Sequence, residues 1–291
     1  MRTDSMIPSR VGGLHVLRDG PADAPVVVLG PGLGGSCLDW RLVARLLTGH
    51  ASVVRFDRPG TGHSGPCSGP CGGPPSLRRE MAVLAAATGG APVVLVGHSV
   101  AALHMEGFAR TRPEAVRGLV LVDPSVEPPD GIGSARSAGS LRSIDPLVPV
   151  TRLLSRLPTL PRRLARRVGP AGRQIAIGLG ALTRRETGSR AELAEIYGRP
   201  EVLRAVLAEY AAYPELVTDL QRLRAERPLP AVPLVVLTAG RACGPNVLVG
   251  HRAMAAMSPL GEHVVVPGSR HLMPLDRPDA VALAVRRVLA A

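Results

Sequence analysis

The stretch Pro92-Val93-Val94-Leu95-Val96-Gly97-His98-Ser99-Val100-Ala101-Ala102 decides the fold. Four consecutive apolar residues between a proline and a glycine read as a short strand buried on both faces. The small residues from Ala101 onward read as the start of a helix. Ser99 stands between the two, with Gly97 and Ala101 two positions to either side. A tight strand-to-helix turn brings backbone close to backbone, so it needs small neighbours, and it leaves the side chain at its apex exposed. Ser99 is therefore a candidate nucleophile. A serine that merely caps the following helix fits the same residues, so the choice rests on what surrounds them.

Residues 25–29 form another apolar run and open into Gly30-Pro31-Gly32-Leu33-Gly34-Gly35. No Lys-Ser or Lys-Thr follows these glycines, which excludes a P-loop. Residues 52–56 read as a third strand, ending in Asp57-Arg58-Pro59-Gly60-Thr61-Gly62-His63-Ser64. Asp57 reads as structural, because a carboxylate at a strand end accepts local backbone N–H groups. Near the C-terminus, residues 264–266 form a last strand, followed by Pro267-Gly268-Ser269-Arg270-His271 and a final amphipathic helix. Seven further histidines (His15, His50, His63, His98, His104, His251 and His263) lack that position in the chain order.

Together these segments resemble the α/β-hydrolase superfamily, over about residues 12–124 and 228–291. The resemblance implies an α/β fold: a mostly parallel, doubly wound sheet with an inserted helical cap. It implies that Ser99 sits on a nucleophile elbow, with Ala101 a mild departure from the usual glycine, and that His271 is the base. Acyl transfer at serine also needs two backbone N–H donors aimed at the developing oxyanion. Val100 supplies one by this resemblance, and Leu33 the other, with Pro31-Gly32 standing where relatives carry His-Gly.

The acid is less plain. Many members place it after the next-to-last strand, here residues 233–238, but no Asp or Glu occurs between Glu226 and Glu262. The alternative lies at the end of the strand after the nucleophile helix, where Val116-Arg117-Gly118-Leu119-Val120-Leu121-Val122 runs into Asp123. Some members, the haloalkane dehalogenase-like branch among them, use that position. Asp123 is the expected acid, with Glu127 and Asp130 in reserve on the following loop. An Asp-Pro pair is also a common turn start, so Asp123 as a plain strand cap stays open. A serine nucleophile argues against dehalogenase and epoxide-hydrolase chemistry, which need a displacing carboxylate.

The remaining composition fits one large α/β domain. The chain has 291 residues, 45% of them hydrophobic and only 2% aromatic, so the core is built from Ala, Val and Leu. Mean hydropathy is +0.17. Residues 125–227 carry almost no strand signal and read as a helical cap between core portions 1–124 and 228–291. Its expected helices are 148–157, 160–168, 191–197, 201–212 and 216–224. The net charge of +12 comes entirely from arginine, as there is no lysine. The densest cluster, Arg162-Arg163-Leu164-Ala165-Arg166-Arg167, reads first as a solvated face. With almost no stacking aromatics and no recognition motif, nucleic-acid binding is not expected. Nor is stable membrane insertion, a metal or a cofactor. The spacing of Cys67 and Cys71 does not match a zinc site, although the pair could bridge under oxidation. The expected protein is cytoplasmic, acts on a small apolar acyl substrate (an ester, lactone or thioester), and can be a monomer or a homo-oligomer. Two alternatives remain: non-hydrolytic chemistry on the same residues (lyase, cofactor-free oxygenase or acyl transfer), or a binding protein without turnover.

Overall fold

The computed structural model describes residues 2–9, 12–66, 75–90, 92–126, 148–156, 161–183, 186–241 and 243–291. An N-terminal hairpin of β1 (Arg2–Ser9) and β2 (Gly12–Asp19) leads into β3 (Val26–Gly30), α1 (Arg41–Leu47), β4 (Ser52–Phe56) and α2 (Leu77–Thr88). Then come β5 (Val93–His98), α3 (Val100–Thr111) and β6 (Val116–Val122). Among the described residues, four helices follow before the sheet resumes: α4 (Val148–Arg156), α5 (Arg162–Gly180), α6 (Arg190–Tyr197) and α7 (Pro200–Glu226). The chain closes with β7 (Leu234–Ala239), α8 (Pro245–Ala255), β8 (Gly261–Val266), α9 (Met273–Asp276) and α10 (Pro278–Ala290).

The eight described strands form one sheet in the order β1-β2-β4-β3-β5-β6-β7-β8. β2 is antiparallel to β1 and β4, and every later pairing is parallel. The apolar runs take the central places: β4, β5 and β7 are buried at every residue, whereas edge strand β8 is largely open. One face packs against α2, α3 and α8 through Val83, Leu84, Met105, Phe108 and Met254. The other packs against α1 and α10 through Val43, Leu47, Val281 and Val285 around the fully buried Trp40. This is the expected doubly wound sheet.

β3 lies between β4 and β5. From β3 the chain moves outward to β4, and from β5 it moves outward the other way to β6. The loops after β3 and β5 therefore diverge and open a crevice at the carboxyl ends of the strands, where open α/β sheets bind ligands. Leu33 and Ser99 flank that crevice.

Two expected breaks in the inserted helices do not occur. The helices read as 201–212 and 216–224 are one helix, α7, running through Pro214. A mid-helix proline forfeits a hydrogen bond and crowds the preceding turn. Here packing holds α7 together, because Tyr213, Leu216, Val217 and Leu220 bury against Leu77, Val100 and Leu103. Likewise α5 extends to Gly180 through Gly169-Pro170.

Candidate active site

Ser99 follows β5 directly and precedes the first residue of α3, with φ 55° and ψ −121°. A non-glycine residue with positive φ in that region is strained and persists only where its surroundings over-determine it. Two contacts do so: the Ser99 N–H donates to the Val122 carbonyl at 3.1 Å, and the Ala102 N–H donates back to the Ser99 carbonyl at 3.0 Å. Gly97 is required, since a Cβ there would lie 2.7 Å from the Ala101 carbonyl oxygen. Alanine fits at 101 because it faces Gly30, where a Cβ would already approach the Ala101 methyl to 3.3 Å.

His271 and Asp123 meet this serine. His271 Nε2 lies 3.0 Å from Ser99 Oγ, and His271 Nδ1 lies 2.7 Å from Asp123 Oδ2. Asp123 itself has φ 41°. Its N–H donates to the Leu237 carbonyl at 2.8 Å, and its Oδ1 accepts the Ala239 N–H at 2.9 Å. The strand whose following loop lacks a carboxylate thus holds the carboxylate supplied by its neighbour. Burial pushes the Asp123 carboxyl up, but the bonds from His271 and Ala239 N–H more than offset it, and the group stays ionised below its ordinary value. Ser99 is nearly buried at 9% exposure, whereas the His271 side chain is 45% exposed. With Nδ1–H given to the carboxylate, Nε2 is free to accept the serine proton.

His98 braces His271. Its Nε2 donates to the His271 carbonyl at 2.7 Å, and the two rings lie 4.8 Å apart. Burial and the neighbouring His271 push His98 down to about 3, so it stays neutral. The His271 loop is also tied to the inserted helices: the Leu272 N–H donates to the Gly180 carbonyl at 2.7 Å, and Asp276 accepts from the Leu182, Thr183 and Arg270 N–H groups.

The loop after β3 is held from below by Arg58. Its Nη2 donates to the Gly32 carbonyl at 2.8 Å, and its Nη1 donates to that of Pro31. Arg58 in turn forms a two-pronged pair with Glu209 of α7, Nε to Oε1 at 2.7 Å and Nη2 to Oε2 at 2.9 Å. Leu33 and Ser99 border one cavity of about 420 Å³, walled by Val168, Ala176, Val202, Leu203 and Val206 from the insertion. Its polar edge is Arg173, paired with Asp39 and, at 2.7 Å, with Glu186. Val100, at the start of α3, has its N–H in the first turn, where a helix leaves donors unpaired.

A family model described as "Alpha/beta hydrolase family" matches residues 26–285. The chain belongs to the alpha/beta hydrolase family. Among curated proteins, it is 35% identical to "Putative carbamate hydrolase RutD" of Variovorax paradoxus (strain S110) over 117 residues, 40% of this chain and 44% of that protein. The match to a protein of the same name from Klebsiella pneumoniae (strain 342) is 39% over 100 residues, 34% of this chain and 38% of that one. The chain thus aligns with less than half the length of these relatives. In structure it resembles Cfl2 from Burkholderia cenocepacia, with TM-score 0.74 and 24% identity, covering 98% of this chain and 94% of that one.

Within this family frame, the structure brings Ser99, His271 and Asp123 together and sets Leu33 beside them. Glu127 and Asp130 lie outside the described residues, as do Cys67 and Cys71. Among the described residues, one cluster has metal-ligand chemistry: His15, Cys37 and Asp57, whose ligand atoms lie within 4.8 Å of one another. Those atoms are already engaged. Asp57 accepts from the Cys37 and His63 N–H groups and from His15. Burial pushes the Cys37 thiol far above its ordinary range, which disfavours the thiolate a metal needs. The cluster locks the loop after β4 to β2, in keeping with Asp57 as a structural carboxylate. Sequence reasoning missed Arg58, Glu209 and His98. Only His98, adjacent to the serine, carried a local signal.

Proposed function

We propose that this chain is a serine hydrolase that cleaves a small, mainly apolar carbonyl substrate through an acyl-enzyme. The carrying observation is the unbroken hydrogen-bond line from Ser99 Oγ through His271 to Asp123, at 3.0 and 2.7 Å. In this reading His271 Nε2 takes the Ser99 proton as Oγ bonds to the carbonyl carbon. Asp123 fixes the tautomer and stabilises the imidazolium. The Leu33 and Val100 N–H groups receive the oxyanion. Collapse of the adduct breaks the bond to the leaving group, which takes the proton from His271. Water then loses a proton to His271, attacks the acyl carbon and frees Ser99.

The walling of the cavity by Val168, Ala176, Val202, Leu203 and Val206 supports a cap role for the helices between β6 and β7, as the part of the chain that shapes the pocket. An ester, lactone or thioester suits the largely apolar wall. The name of the curated relatives adds carbamates, whose carbonyl is open to the same attack. The test is a p-nitrophenyl ester series of increasing chain length, with a matched carbamate and Ser99→Ala as control. Turnover and fluorophosphonate labelling that both vanish in folded Ser99→Ala are expected. Turnover that persists in Ser99→Ala rules the serine out. Labelling without hydrolysis of any carbonyl in the series moves the reading to lyase or acyl-transfer chemistry on the same residues. Neither labelling nor turnover in the parent chain moves it to a binding role.

A further inference from the structure

The peptide unit between Gly32 and Leu33 carries the N–H assigned above to the oxyanion. In a planar trans peptide the C=O and N–H point opposite ways, so whatever grips the Gly32 oxygen also aims the Leu33 hydrogen. That oxygen accepts two donors, Arg58 Nη2 at 2.8 Å and the Gly35 N–H at 2.9 Å. The peptide before it is held by Arg58 Nη1 on the Pro31 oxygen. On the far side of Leu33, the Gly34 N–H donates to Glu209 Oε2 at 3.2 Å. One ion pair therefore grips the loop on both flanks of Leu33, and one half of it comes from α7 of the insertion.

Both partners are out of solvent, Arg58 at 1% and Glu209 at 6% exposure. Burial works against the guanidinium charge, and the Glu209 carboxylate more than offsets it, so Arg58 stays charged. A charged donor on a peptide oxygen strengthens the hydrogen bond made by the N–H of the same unit. We infer that Arg58, set in place by Glu209, is a positioning residue that aims and polarises the Leu33 N–H, and that α7 thereby helps to build the oxyanion site. The inference rests on the serine-hydrolase reading. Stability alone does not call for this pair, because buried ion pairs are often replaced by apolar residues without loss. Apolar residues cannot donate to the Pro31 and Gly32 oxygens or accept from Gly34.

The test uses Arg58→Lys and the double variant Arg58→Met/Glu209→Leu, the second leaving no unpaired buried charge. Lysine keeps the charge but lacks the fork that reaches two carbonyls and a carboxylate together. Three quantities are read on folded protein: kcat, KM, and affinity for a trifluoromethyl ketone, whose adduct with Ser99 carries an oxyanion. A methyl ketone of the same shape serves as the ground-state comparison. The expected result is a kcat loss of about 10- to 100-fold, below the full cost of deleting an oxyanion donor because Leu33 remains. KM and methyl-ketone affinity stay near the parent values, and trifluoromethyl-ketone affinity falls by a factor similar to that for kcat. Variants that fold and keep parental kcat and adduct affinity overturn the inference. So does a kcat loss that merely tracks the fraction of protein labelled by fluorophosphonate, which is the signature of a purely structural role. If the parent chain itself shows no Ser99-dependent labelling, the serine-hydrolase reading fails and takes this inference with it.

Discussion

Replacing Asp123 with Asn tests the site at its least sequence-evident residue, and the structure fixes which way the amide must turn. Asp123 Oδ1 accepts the Ala239 N–H at 2.9 Å while Oδ2 accepts His271 Nδ1–H at 2.7 Å. In the asparagine variant only one oxygen remains. Placing it on Ala239 N–H keeps that bond and turns the NH₂ toward His271. The imidazole must then accept at Nδ1 and carry its proton on Nε2, facing Ser99 Oγ, where it can no longer take the serine proton. The opposite turn restores the tautomer but sets NH₂ against N–H, leaving a largely buried donor unpaired at about 1–3 kcal/mol. The productive tautomer is therefore scarce, and the imidazolium also loses its carboxylate. A kcat loss of about 10⁴-fold is expected, the scale known for triad acids, or about 5.5 kcal/mol of transition-state stabilisation. Steady-state hydrolysis of a p-nitrophenyl ester measures it, with circular dichroism as the check on folding. A folded Asp123→Asn enzyme that keeps a tenth or more of parental kcat, on the triad-acid scale, refutes the argument. Glu127→Gln and Asp130→Asn are expected to leave kcat unchanged, and a large loss in either transfers the acid role to that residue.

Three further outcomes follow from buried charge. Burial raises the Glu80 carboxyl to about 7, so the folded chain binds the extra proton and stability falls as pH rises from about 4.5 to about 7. Glu80→Gln is expected to add on the order of 3 kcal/mol at pH 8 and under about 1 kcal/mol at pH 5, and equal urea midpoint shifts at both pH values would contradict this. Burial holds His98 near 3 and His104 well below its ordinary value, so the unfolded chain binds protons first and stability drops as pH falls below about 6.5. His104→Gln should flatten that acid slope in denaturation series between pH 7.5 and 5.5, and an unchanged slope would show that His104 does not contribute to it. Arg173→Leu strips the partner from Asp39 and Glu186. It should cost about 3–5 kcal/mol by urea unfolding, and a loss under about 1 kcal/mol would mean that the pair does not stabilise the fold.

The sequence was most legible where local pattern and tertiary role coincide. Runs of Val and Leu in 93–96 and 119–122 are strands because a parallel sheet buries both faces, and Ser99 and Asp123 follow their carboxyl ends. Ser99, Asp123 and His271 could therefore be ordered before any contact was known. The β1–β2 hairpin was not read, since Thr3-Asp4-Ser5 interrupts any apolar alternation and pairing with β4 supplies what the pattern lacks. Pro214 and Gly169-Pro170 signal breaks, yet α7 and α5 run on, because packing against the core overrides a local penalty. The Arg58–Glu209 pair joins residues 151 apart in sequence. Nothing in either neighbourhood marks them as partners, and a lone arginine after a strand reads as an ordinary loop residue.

That pair changes what the inserted helices are for. A cap resting on the core through apolar contacts alone could be exchanged for another of similar volume, leaving the chemistry untouched and altering only the substrate. Here α7 reaches the loop after β3, the proposed oxyanion loop, through Glu209. The end of α5 and the turn after it reach the His271 loop through the Gly180 carbonyl on Leu272 N–H and through Leu182 and Thr183 on Asp276. Lifting these helices as one body would break hydrogen bonds on both the Leu33 and the His271 side of Ser99. Hinging of the whole insertion is therefore a costly way to open the cavity. By the same logic, a cap grafted from a relative should keep rate only if it brings a carboxylate to the place of Glu209 and a carbonyl to the place of Gly180.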